Sequence, residues 1–146
     1  TPSFVGRDND VDLDFGMRIS QPRIYFIEGF LWTWNDYGYP PMRGIGYGFE
    51  KLPDLDRALS VYAKLWYSAS IKGNYGPISI GTTGFPGGRL SYQLVKWSAG
   101  ADWTVLGPRS PLFIDGGIQG EVWTPLTGAP VGRNEWGPAV GLGLHF

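Results

Sequence analysis

The stretch WGPAVGLGLHF, residues 136–146, alternates bulky apolar residues with small ones. Trp136, Val140, Leu142, Leu144 and Phe146 share one parity; Gly137, Ala139, Gly141, Gly143 and His145 share the other. A period of two belongs to a β-strand, whose successive side chains point to opposite faces. This strand would have one large apolar face and one face of small residues.

The same pattern runs upstream. Val11, Leu13, Phe15, Met17 and Ile19 oppose Asp12, Asp14, Gly16, Arg18 and Ser20. Residues 23–34 form an aromatic second strand, whose two apolar faces leave the side of Glu28 undecided. Ile45, Tyr47 and Phe49 then oppose Gly44, Gly46, Gly48 and Glu50, and residues 57–72 alternate throughout, with Ile71 on the apolar face and Lys64 and Lys72 on the other. A short strand is expected at 77–83. Residues 89–105 place Lys96 and Asp102 on the small-residue face, and 112–123 place Asp115 and Glu121 there. Turn-forming clusters rich in Pro, Gly and Asn separate these segments, with a longer loop expected over 124–135. The expectation is an all-β chain of eight strands, one domain over 1–146, with 1–10 as an extended N-terminal segment.

Composition narrows the class. The 146 residues include no Cys, 23 Gly and seven Trp, and only 17% are charged, against roughly 25% in soluble domains. A net charge of −1 offers no basic footprint for nucleic acid. No apolar run is long enough for a transmembrane helix. The start at Thr1 reads as a mature or trimmed product from which an export signal has been removed.

Alternation suits both a soluble and a membrane barrel, so the less apolar face decides. Facing water, it should be rich in charge; here it is mainly Gly, Ser and Ala with isolated ions. Small residues suit the crowded lumen of a narrow barrel. That lumen would hold Asp12, Asp14, Glu50, Asp102, Asp115 and Glu121 against Arg18, Lys64, Lys72 and Lys96 as a paired network, since unpaired ions away from water are costly. Trp32, Trp34, Tyr37, Tyr39, Trp97, Trp123, Trp136 and Phe146 fall near strand ends, where aromatic girdles sit. The expected architecture is a closed antiparallel up-and-down transmembrane β-barrel.

The C-terminal strand resembles that of the small eight-stranded bacterial outer-membrane barrels. Those proteins end in an aromatic residue, with an apolar residue two before it and a glycine three earlier still; Phe146, Leu144 and Gly141 match. Ala139 stands where the family usually has a polar residue. The resemblance implies an outer-membrane location, membrane lipids and the outer-membrane assembly machinery as partners, and other envelope proteins as neighbours. It also implies both termini at the periplasm, with 35–42, 73–76 and 106–111 as periplasmic turns and 20–22, 52–56, 84–88 and 124–135 as outer loops.

Chemistry is sparse. Asp8, Asp10, Asp12 and Asp14 suggest a calcium loop, but an EF-hand requires Gly at its sixth position and Glu at its twelfth. Counting from Asp8 finds Leu13 and Ile19; counting from Asp10 finds Phe15 and Gln21. The aspartates read as a polar strand face. His145 is the one histidine and sits at a strand end, away from any nucleophile motif. Asp102, Asp115 and Glu121 form either a carboxylate cluster or, as favoured here, structural ion pairs. The expectation is a non-enzymatic envelope barrel without metal or cofactor, with a structural or interaction role. The alternatives are a narrow pore, a lipid-modifying barrel enzyme and a soluble lipocalin-like binding barrel.

Overall fold

The structure, a computed structural model, describes residues 7–36, 38–54, 56–80, 82–105 and 111–144. The described residues contain strands and no helix. Long strands are β1 (Asp8–Ser20), β2 (Ile24–Asn35), β3 (Met42–Lys51) and β4 (Leu59–Tyr75). Two three-residue strands, β5 (Ile78–Ile80) and β6 (Thr83–Phe85), follow. The long strands resume with β7 (Gly88–Thr104), β8 (Leu112–Pro125) and β9 (Arg133–Leu144).

Seven strands form one antiparallel sheet in the order β1-β2-β3-β4-β7-β8-β9, each beside its neighbour in sequence. The short strand expected at 77–83 does not enter this sheet. Among the described residues its β5 segment pairs with β6 alone, in a hairpin set between β4 and β7 in the chain. Three residues alternate too briefly to bury a face, whereas the 17-residue β4 and β7 pair along most of their lengths.

Losing that crossing changes the topology. Connections 36–41, 76–87 and 126–132 share one end of the sheet, here the hairpin end. Connections 21–23, 52–58 and 105–111 share the other, at which β9 finishes. The ends of β7 and β8 joined by the expected turn 106–111 therefore lie at the opposite end of the sheet from those of β2 and β3, which corrects the expected grouping. Likewise β1 begins and β9 finishes at opposite ends; the terminal residues themselves lie outside the described residues. Asp8 begins β1 at the hairpin end, and Leu144 closes β9 at the opposite one.

The sheet is strongly curled. Four strand spacings separate β1 from β7, roughly 19 Å if the sheet were flat. Yet Lys96 on β7 pairs with both Asp10 and Asp12 on β1. Lys64 on β4 likewise pairs with Asp14, and Arg133 on β9 with Asp8. The face carrying Asp8, Asp10, Asp12 and Asp14 is therefore concave. Among the described residues no ladder joins β1 to β9, which are the two edges of the sheet.

Most of the sequence-derived faces hold. Phe15, Ile45, Trp136 and Val140 stand outward, between 68% and 84% exposed. One strand changes parity. Between Ser68 and Ile71, β4 advances three residues while β7 advances two, from Leu94 to Tyr92. This bulge moves every later residue of β4 to the opposite face. Ile71, expected outward, is 0% exposed, and Lys72 points outward instead.

The concave face also contains more than small residues and ions. Ile27, Leu31, Met42, Trp66, Ile71, Leu90, Tyr92, Leu94 and Trp123 form a continuous apolar core. Trp123 belongs to this core, packed edge-on against Tyr92, and not to an outer aromatic girdle. The glycines provide the room. A Cβ on Gly46 would overlap the Trp66 indole, and one on Gly100 or Gly117 would crowd the Tyr62 hydroxyl.

Candidate functional site: a charged cavity on the concave face

A cavity of about 600 Å³ lies inside the curl, lined by Asp10, Asp12, Asp14, Lys64, Trp66, Lys96, Gln119, Glu121 and Glu135 among others. Its acidic wall follows from the period of β1. Alternate residues Asp8, Asp10, Asp12 and Asp14 project from one face, about 6.8 Å apart, and reach bases on three different strands. Lys96 serves both Asp10 and Asp12, the latter at 2.5 Å. Lys64 serves Asp14. Arg133 reaches Asp8 at 2.6 Å, Glu121 at 2.8 Å and Glu135 at 3.2 Å, and lies 5.3 Å from the Trp123 ring centre.

Of the residues expected in the network, Asp12, Asp14, Lys64, Lys96 and Glu121 meet at this cavity. Glu50, Asp102 and Asp115 gather with Tyr62 and Lys64 around a second cavity of about 230 Å³, toward the end where β9 finishes. There Asp102 is buried, and Asp115 Oδ1 is buried without a hydrogen-bond partner.

Two expected members are elsewhere. Arg18 has the inward parity but hydrogen-bonds Gln21 at the adjoining turn, because its position near the end of β1 puts that side chain closest. Lys72 is turned outward by the β4 bulge. Of the expected assembly signal, Gly141 faces inward beside the Asp115 carboxylate and Leu144 faces outward. Phe146, His145 and Tyr37 lie outside the described residues.

Arg133, Glu135, Asp8 and Asp10 were not expected in the network. The first two fell within the segment read as loop, yet β9 begins at Arg133. Extending the terminal alternation back through Gly137, Glu135 and Arg133 would have found them. The aspartates were visible as a polar face, and what they face depends on the curl.

Inward acids outnumber inward bases. At the larger cavity Asp8, Asp10, Asp12, Asp14, Glu121 and Glu135 stand against Lys64, Lys96 and Arg133. Such an arrangement ties distant strands together and gives the cavity a negative potential. Among the described residues, no cluster of three or more acids or histidines has metal-holding geometry. No family model, curated protein or solved structure matches this chain.

Proposed function

We propose that this protein is an integral outer-membrane β-barrel with a structural or protein-interaction role in the cell envelope. The observation that carries the reading is the outward face. On β1 it presents Val11, Leu13, Phe15, Met17 and Ile19; on β9 it presents Trp136, Val140, Leu142 and Leu144; the strands between continue the band. Soluble monomers rarely expose contiguous apolar patches beyond a few hundred Å². Most strand ions face inward, Glu28, Arg43 and Lys72 being exceptions, and the exposed apolar band faces outward, the pattern of a transmembrane barrel.

Details at the hairpin end support the same reading. Arg43 and Lys72 are cross-strand partners on the outward face, and Trp32 is the partner of Arg43 on its other side. Like charges directly opposite each other are unfavourable in isolation. They are suited to an interface carrying anionic headgroups, where Trp and basic residues also concentrate. With the C-terminal strand ending at the periplasm, as its resemblance implies, the hairpin end faces outward from the cell.

The test is fractionation. The protein is expected to sediment with membranes, resist extraction by alkaline carbonate, require detergent, and show heat-dependent gel mobility. Protein that remained monodisperse in buffer alone would overturn the proposal. The charged cavity favours a second reading, a narrow cation-preferring pore; planar-bilayer recordings at background conductance would remove it.

A further inference from the structure

Seven strands in an up-and-down sheet leave two edges that point the same way. β1 and β9 both run from the hairpin end toward the end where β9 finishes. Joined directly, they would form a parallel ladder within an otherwise antiparallel sheet. No ladder links them among the described residues. One strand running the opposite way would be antiparallel to both, and would satisfy both rows of edge N–H and C=O groups together.

Charge defines the side chains of such a strand. The inward face of β1 carries Asp8, Asp10, Asp12 and Asp14, and β9 adds Glu135. Their bases are shared: Lys96 between two aspartates, Arg133 among three carboxylates. An occupant with Lys or Arg at inward positions complements this wall. Its outward positions would continue the apolar band of Phe15 and Met17 on one side and Val140 and Leu142 on the other.

Connectivity defines its origin. The strand must deliver its last residue to the hairpin end, where β1 begins. Every strand of the main sheet lies beside its neighbour in sequence, the usual rule for consecutive strands, which a strand ahead of β1 and one after β9 would meet equally; the turn-forming residues in the sequence lie on the β1 side. Pro2 and Gly6, just ahead of β1, are turn-forming residues. We propose that the seam between β1 and β9 is filled by a strand of the same polypeptide, N-terminal to Thr1, antiparallel to both edges and alternating apolar outward with basic or small inward residues. Strand polarity and charge carry this inference; the apolar outward half rests on the membrane reading above.

N-terminal sequencing of the protein from its native cells tests the origin. Residues ahead of Thr1 with that alternation are expected. A folded protein beginning at Thr1, a non-alternating extension, or a closing strand found after Phe146 would each overturn the proposal. The seam is tested separately on residues 1–146 in detergent. Fusing a 12-residue strand, the length of β2 and β9, with Leu or Val alternating with Ser and Lys ahead of Thr1, should slow amide exchange along the edge strands β1 and β9 by about tenfold or more. A scrambled strand should not, and equal protection by it would overturn the proposal. So would ready disulfide formation in the unextended Phe15→Cys/Val140→Cys variant, since that requires direct contact of the edges. A soluble protein with the alternating N-terminal strand would retain this inference while losing the membrane reading.

Discussion

Lys96 holds two carboxylates, Asp10 and Asp12, from a strand four places away in the sheet. Removing its ammonium leaves those like charges adjacent and partly shielded from water. Lys96→Met is expected to lower stability in detergent by about 1–2 kcal/mol, a value between exposed and buried ion pairs. Adding Asp10→Asn should recover part of the loss, as a denaturant-midpoint double-mutant cycle can show. Lys72→Ala, at an outward position, should remain within about 0.5 kcal/mol of the parent. Glu28 presents the opposite case. Its cross-strand partners are Phe15 and Tyr47 on the outward face, where a carboxylate is unfavourable if that face meets hydrocarbon. Glu28→Leu should raise stability in a bilayer by about 1–2 kcal/mol, and no gain in lipid-vesicle unfolding would place Glu28 outside the hydrocarbon.

At the scale of the element, two features of β3 and β4 set which side chains meet. Gly46 gives the Trp66 indole its place, so Gly46→Leu should force that ring out and cost about 1–3 kcal/mol by overpacking. Trp fluorescence and the unfolding midpoint would report the displacement. The bulge near Ser70 is equally consequential. It turns Ile71 into the core, leaves Lys72 beside Arg43 on the outward face, and places the Ser70 hydroxyl 2.8 Å from that of Ser91. A strand of uninterrupted parity would have buried a lysine where the protein buries an isoleucine.

For the whole molecule, the decisive quantity is the direction of the apolar face. Phe15 is 69% exposed near the middle of β1. In a bilayer, Phe15→Arg should destabilise the protein by about 2–4 kcal/mol. On a water-facing surface the same change would fall within about 0.5 kcal/mol. Equilibrium unfolding in lipid vesicles separates these outcomes. The curl that turns the ions inward encloses the cavity, and the seven strands of the described main sheet leave β1 and β9 as edges that run the same way.

The strands and the parity of most of their residues were legible in the alternation alone, because a period of two needs only local sequence. Residues 136–144 read directly as the greater part of β9, which begins three residues earlier at Arg133, with Val140 outward and Gly141 inward. Charge on the inner face was legible for the same reason, for Asp12, Asp14, Lys64, Lys96 and Glu121. Three matters depended on tertiary structure. The β4 bulge is set by its register with β3 and β7, which moved Lys72 and Ile71 to faces their sequence parity did not predict. The partners of Asp8, Asp10, Asp12 and Asp14 depend on a curl that brings β4, β7 and β9 across from β1. Strand polarity at the edges depends on whether residues 78–80 join the main sheet. Alternation assigns each side chain a face, whereas register and closure are relations between distant strands, which only the assembled sheet fixes.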